Sequence, residues 1–252
     1  MNNYGKHLVA HRGFSHAYPE NTFSSVEAAL ALGACFVEVD VHLSADHVPI
    51  VIHDASLKRT AGKRVNVMDT LISLLPQYSV HEPRRFADRF LPQRIPTLQD
   101  ILDLFAGHPG RTLFIEAKRA SIVRFGIDTF LNAMAPLIEA LPGQCVLISF
   151  HREFLVAAKN RRLCPVGWVM EKTDDHSVRA VERLQPEYVF TGYAGVPARW
   201  EHLPQGTWQW AVYTIDEAEL ALQWFQRGAT LVETNNFAAL IKHPSLNSVC
   251  QT

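Results

Sequence analysis

Short apolar runs rich in β-branched residues recur along the chain, and stretches with helical spacing separate them. Eight runs read as strands: 7–13, 35–44, 112–118, 145–150, 165–170, 187–193, 207–214 and 230–235. The clearest helices lie at 21–32, 97–105, 121–141, 175–184 and 216–227. Strands that alternate with helices predict a parallel sheet. Eight such units in 252 residues predict a closed (β/α)8 TIM barrel of α/β class, the usual architecture at about this length. An open doubly wound sheet ranks second, because no G-x-G-x-x-G follows the first strand. The whole chain, 1–252, reads as a single domain. The section 55–93 breaks the rhythm with three prolines and several charges. It reads as a small insertion after the second strand, capping one end of the barrel. Asn21 or Thr22 can cap the first helix, with Asn21 preferred, and Gly33 can end it in a left-handed conformation.

Polar residues interrupt the dry pattern at a few strand positions. In Phe36-Val37-Glu38-Val39-Asp40-Val41, the valines share one face and can pack on outer helices. Glu38 and Asp40 share the other face, about 7 Å apart by strand rise, and point into the barrel. The run Leu113-Phe114-Ile115-Glu116-Ala117-Lys118 repeats this with Glu116 and Lys118. Burying an unpaired carboxylate is very costly. A hard divalent cation bound by oxygens would account for all three carboxylates. A buried salt bridge from Lys118 is the alternative, and it leaves one more carboxylate unexplained.

Two apolar runs end in histidine: Leu8-Val9-Ala10 opens onto His11-Arg12, and Val48 to Ile52 opens onto His53-Asp54. Paired imidazoles beside a carboxylate cluster suit general acid–base catalysis. Arg12 suits a phosphate, because its planar fork bonds two oxygens. These parts together suit displacement at phosphorus.

Composition narrows the classes further. The apolar fraction of 48% supports a sizeable core. A formal net charge of -1 without a dense basic run argues against nucleic-acid partners. No run has the length of a transmembrane span, and residues 1–6 lack a signal-like apolar stretch. Cys35, Cys145, Cys164 and Cys250 form no C-x-x-C pair and read as buried free thiols, which fits a reducing, cytoplasmic compartment.

With these residues assembled, the chain resembles the glycerophosphodiester phosphodiesterase family, in its short bacterial cytoplasmic form. The motifs are HRG at 11–13 with PENT at 19–22, VEVDV at 37–41, VIHD at 51–54, IPTLQDIL at 95–102 and IEAK at 115–118. The clear match runs from 7 to 118, and the later half matches more loosely. The resemblance implies metal-dependent hydrolysis of a small glycerophosphodiester to sn-glycerol 3-phosphate and an alcohol, within glycerol and lipid metabolism. It implies Glu38, Asp40 and Glu116 as ligands of Mg2+ or Ca2+, His11 and His53 as the acid–base pair, and Arg12 and Lys118 as phosphate contacts. It also implies attack by the neighbouring glycerol hydroxyl to give a cyclic phosphate that water opens. A homo-oligomer is compatible with it.

Glu20 belongs to the polar network of the first loop and is a candidate pocket residue. The family usually carries Trp-Thr-Val-Asn in the seventh strand, where this chain has Tyr213-Thr214-Ile215-Asp216. It usually ends its last strand Thr-Asp, where this chain has Thr234-Asn235. Tyr213 is read as a pocket wall near the glycerol end, and both departures as bearing on the alcohol preference. His42 is assigned to core or solvent, and the histidines outside the motifs to the surface. A lysophospholipase D or sphingomyelinase-D-like enzyme on the same barrel is the nearest rival. A non-catalytic phosphate-ligand binder and an unrelated metal-dependent lyase or aldolase are more distant ones.

Overall fold

The computed structural model describes residues 3–250; Met1 and Asn2, read above as part of the N-terminal stretch, and Gln251 and Thr252 lie outside the described residues. β1 (Leu8–His11) leads through a tight loop into α1 (Phe23–Ala31). The Thr22 hydroxyl caps α1 by accepting from the Ser25 N–H, and Gly33 follows its end at φ 85°. β2 (Phe36–Leu43) then turns back into β3 (Pro49–Val51), which pairs with it antiparallel. The insertion follows, with the short helices α2 (Lys58–Ala61) and α3 (Pro83–Phe86). The rest alternates: α4 (Leu98–Ala106), β4 (Thr112–Ala117), α5 (Arg119–Phe125), α6 (Ile127–Glu139), β5 (Cys145–Ser149), α7 (Arg152–Asn160), β6 (Val166–Val169), α8 (Asp175–Leu184), β7 (Tyr188–Gly192), β8 (Gln209–Tyr213), α9 (Ala218–Gln226), β9 (Leu231–Thr234) and α10 (Phe237–Leu240).

The parallel strands run in the order β1-β9-β8-β7-β6-β5-β4-β2, and β1 pairs with β2 to close the ring. This is the (β/α)8 barrel predicted from the alternation. Val37, Val39 and Val41 face outward into the layer between strands and helices. A smaller cluster fills the barrel itself, centred on the fully buried Phe114. Its ring meets Phe36, Tyr188 and Phe190 at centroid distances of 5.8, 5.0 and 5.1 Å. This plug keeps the lower barrel dry, so polar side chains higher on the same strands face a chamber with an apolar floor. The insertion has its own core, built on Ile50, Leu57, Val67 and Leu75.

Two expectations need correction. The helix predicted over 121–141 is two helices, because Gly126 sits between them at φ 88°, a conformation that ends the first. The four cysteines are not all free. Cys35 and Cys250 form a disulfide with Cα atoms 5.3 Å apart, and only Cys145 and Cys164 are free thiols. The pairing spans 215 positions and follows from the C-terminal segment lying along the start of β2. There the Cys250 N–H donates to the Gly33 carbonyl at 2.9 Å, and Arg111 donates to the carbonyls of Ala34 and Cys250. Cysteine content therefore no longer argues for a reducing compartment. Among the described residues, no helix is long and apolar enough to cross a membrane.

The pairing predicts a thiol count. Denatured but unreduced protein should expose two thiols to Ellman's reagent, and four after reduction. Four thiols without reduction would refute it.

Candidate active site

Strand register assembles the polar cluster. Parallel pairing sets His11 beside Glu38 and Asp40 beside Glu116, all at the C-terminal ends of their strands. Glu38 and Asp40 are 2% and 1% exposed, so they ionise only with compensation. Asp40 has it. Lys118 Nζ donates to Asp40 Oδ1 at 3.0 Å and to Glu116 Oε1 at 2.7 Å. Arg12 Nε lies 3.1 Å from Asp40 Oδ2. The Asn21 side chain donates to Asp40 Oδ2 at 2.7 Å and accepts from the Asp40 N–H at 3.0 Å. Asn21 is thus not the helix cap; Thr22 takes that role, which frees Asn21 to hold a buried carboxylate.

The salt bridge weighed as an alternative to a cation is therefore real, but it does not close the account. Glu38 accepts the Arg12 N–H on Oε2 at 3.0 Å, and its Oε1 is buried with no partner. Ligand oxygens of Glu38, Asp40 and Glu116 all lie within 4.8 Å of one another. An all-oxygen donor set with an orphaned buried oxygen fits a hard cation.

Electrostatics divide the carboxylates into two kinds. Burial alone would raise the Asp40 pKa, but Lys118 and Arg12 outweigh it and hold the group well below the usual range. Burial and neighbouring carboxylates push Glu38 well above 4.5. Burial, then Asp40, raises Glu116 to about 7. A fourth carboxylate, Glu233 on β9, is raised to about 8 by burial, Glu116 and Asp40. The cluster is overcharged by acids once Lys118 and Arg12 are spent.

The two histidines have matched but unequal supports. The Nδ1 of His53 donates to Asp54 Oδ1 at 2.6 Å, and Asp54 Oδ2 accepts from Arg59 Nε at 2.7 Å. The Nδ1 of His11 donates to Asn235 Oδ1 at 2.8 Å, and Asn235 Nδ2 donates to Asp216 Oδ2 at 3.1 Å. Each ring therefore keeps Nε2 free for proton transfer. Burial, then Arg12, lowers the His11 pKa to about 4. His42 is a buried brace, with Nε2 donating to the His53 carbonyl at 3.0 Å and Nδ1 accepting from Ser121 at 2.8 Å. His151, expected at the surface, is half-buried and caps α7 by accepting from the Phe154 N–H.

His11, Arg12, Glu38, His53, Glu116, Lys118 and Tyr213 line one cavity of about 200 Å3. Asp40 does not line it but braces Arg12 and Lys118. Glu20 does not line it either; it takes Arg12 at 2.9 Å and both Arg59 nitrogens at 2.9 and 2.6 Å. Glu233 and the supports Asn235, Asp216, Asp54 and Arg59 were missed from sequence as site residues. Asn235 was read as bearing on the alcohol end, whereas it grips His11. For Glu233 a signal existed: an acid alternating inward from an apolar strand, the same sign that marked Glu38.

The raised carboxylates predict how stability depends on pH. Glu116 and Glu233 titrate at about 7 and about 8 in the fold, against 4.5 ordinarily. The fold holds protons that the unfolded chain releases, so their contribution is complete below 4.5 and lost as pH rises through about 7 and about 8. In EDTA the thermal midpoint should fall from about pH 6 to about pH 8.5, and Glu233→Gln should make the fall shallower. A flat or rising wild-type midpoint over that window would count against this electrostatic picture.

Residues 11–238 match the model of the glycerophosphoryl diester phosphodiesterase family. A glycerophosphodiester phosphodiesterase of Bacillus subtilis is 30% identical over 165 residues, covering 59% of this chain and 53% of that one. One from Bacillus altitudinis is 35% identical over 151 residues, covering 57% and 58%. A lysophospholipase D of Rattus norvegicus is 33% identical over 105 residues, covering 40% and 33%. The chain thus spans a third to just over half the length of these relatives. An Oleispira antarctica phosphodiesterase, solved with the product sn-glycerol-3-phosphate, superposes with a TM-score of 0.82 at 22% identity over 96% of both chains. At that identity the likeness establishes the barrel alone. The family match runs through both histidines, the carboxylate trio and the last strand, and on it the chain belongs to the glycerophosphoryl diester phosphodiesterase family.

Proposed function

We propose that this chain hydrolyses glycerophosphodiesters to sn-glycerol 3-phosphate and an alcohol, using a divalent cation and the pair His11 and His53. One observation carries the reading. Two imidazoles, each with Nδ1 tied to a fixed acceptor, line the same small cavity as Glu38, Glu116, Arg12 and Lys118, with Asp40 bracing the arginine and the lysine. Family membership and the product named for the Oleispira antarctica protein support the substrate class.

Glu38, Asp40 and Glu116 would hold the cation, which when bound supplies positive charge to the non-bridging oxygens of the phosphate. The chain's own residues do the rest. Arg12 and Lys118 orient the phosphate and share its charge. One histidine takes the proton of the glyceryl hydroxyl as its oxygen bonds to phosphorus. The other gives a proton to the departing alkoxide as its P–O bond breaks. Water then opens the cyclic phosphate with the proton transfers reversed. Asp54 orients His53 through Nδ1, and the Asn235 amide does the same for His11. A wider groove shares His53, Glu116 and Lys118 with the inner cavity and runs past Phe150 and Arg119. It offers the departing alcohol a way out, with the glyceryl group in the inner cavity.

The test is release of glycerol 3-phosphate from glycerophosphocholine and glycerophosphoethanolamine, with Mg2+, with Ca2+ and with EDTA. Turnover should need the cation. His11→Ala and His53→Ala should fold and lose about 10²–10⁴-fold in kcat. Near wild-type rates in both variants would sink the mechanism. Turnover of lysophosphatidylcholine in preference to either diester would move the assignment to the lysophospholipase D activity named for the rat relative.

A further inference from the structure

The inner cavity has two unlike walls. On one, every titratable side chain has a named partner or belongs to the carboxylate trio. On the other, Ile148, Val169 and Phe190 present apolar surface, and two polar tips stand among them. These are the carboxylate of Glu233 and the hydroxyl of Tyr213. Val212 pairs with Val232, so Tyr213 and Glu233 follow at one level on neighbouring strands and face inward together. Glu233 is 4% exposed, yet among the described residues its carboxylate takes no hydrogen bond and no ion pair. The Tyr213 hydroxyl likewise has none. A buried carboxylate left this way is destabilising unless something arrives to satisfy it.

The chemistry of the arrival can be read from the pair. A hydroxyl of the ligand can donate to the carboxylate, and the same or a vicinal hydroxyl can accept from the phenol. The apolar wall suits the C–H face of a small polyol. A second cation is the competing occupant, since oxygens of Glu38 and Glu233 and a nitrogen of His11 lie within 4.8 Å of one another. That would consume the His11 nitrogen needed for proton transfer, and it leaves the phenol unexplained. Building on the reading of the previous section, we propose that Glu233, assisted by Tyr213, is the binding site for the free hydroxyl end of the glyceryl group.

Such a site would select against lysolipids. An acyl group on that hydroxyl removes the proton Glu233 would accept and needs room the cavity lacks. A site built to bond a hydroxyl discriminates strongly against the analogue without one.

The experiment compares wild type, Glu233→Gln and Tyr213→Phe on glycerophosphocholine and on 2-hydroxyethyl phosphocholine, a diester that keeps the attacking hydroxyl but lacks the terminal one. Cation and sn-glycerol 3-phosphate binding are followed by calorimetry. The ratio of kcat/KM for glycerophosphocholine to that for the hydroxyethyl diester should fall about tenfold or more in Glu233→Gln and less in Tyr213→Phe. Affinity for sn-glycerol 3-phosphate should fall in parallel, with Mg2+ affinity held within about threefold. An unchanged ratio would overturn the assignment, and so would a large loss of Mg2+ affinity in Glu233→Gln, which would make it a cation ligand. If wild type neither cleaves glycerophosphocholine nor binds sn-glycerol 3-phosphate, the substrate reading itself fails. If wild type does both and Glu233→Gln matches it, only this inference fails.

Discussion

The upper barrel depends on one buried carboxylate. Asp40 is met by Lys118, Arg12 and the Asn21 amide, and these hold it ionised despite complete burial. Burying a charge is tolerable only when it is paired and hydrogen-bonded. Here the compensation has a second effect. The groups that satisfy Asp40 are the arginine and lysine proposed to hold the phosphate, so the network that stabilises the core would also fix the binding geometry. What remains after Asp40 is satisfied is an excess of acid in Glu38, Glu116 and Glu233, with Glu38 Oε1 lacking any partner. The barrel is electrostatically unfinished at that point, and the proposed cation would complete it in the same terms that stability arguments use.

The insertion is part of this machinery. Arg59 bonds Asp54, which orients His53, and also Glu20, which holds Arg12. A single guanidinium therefore joins the supports of His53 and Arg12, the side chains proposed for acid–base and phosphate-binding roles. Glu82 strengthens the tie by accepting the Glu20 N–H at 2.7 Å, and Arg85 reaches the Ser15 carbonyl. The first loop is held from outside by the same segment that breaks the strand–helix rhythm. Preorganisation of this kind lets long side chains act with the precision of strand-borne ones.

Legibility from sequence followed the range of the interactions. The barrel was readable because strand alternation is local: Val37, Val39 and Val41 against Glu38 and Asp40 already declare an inside and an outside. The same alternation exposed Glu116 and Lys118. Supports contributed by distant segments were not readable. Asp54 lies next to His53 in sequence, but Asn235 is 224 positions from the His11 it holds. The Cys35–Cys250 pairing spans 215 positions and depends on where the C-terminal segment comes to rest, which no spacing rule gives. Asn21 was misread for a related reason. Local preference favours it as a cap, but a long-range bond to Asp40 claimed its side chain, and Thr22 was free to take the helix end. Glu233 was passed over because its strand matched no motif, although its parity is that of an inward residue.

Two departures from the family pattern meet in one hydrogen-bonded pair. The resemblance led us to expect an asparagine at the end of the seventh strand and an aspartate at the end of the last; this chain has Asp216 and Asn235. These residues touch. Asp216 Oδ1 accepts from Thr234 Oγ1 and the Asn235 N–H at 2.8 Å each, and Asp216 Oδ2 accepts from the Asn235 side chain at 3.1 Å. The amide and the carboxylate have exchanged places within one hydrogen-bonded pair, so the local charge is kept while its position moves outward. The consequence falls on His11. It now donates to a neutral oxygen with the negative charge one residue behind it, whereas His53 donates directly to a carboxylate. The two rings are therefore held by unlike partners, and burial with Arg12 close by keeps the His11 pKa down at about 4.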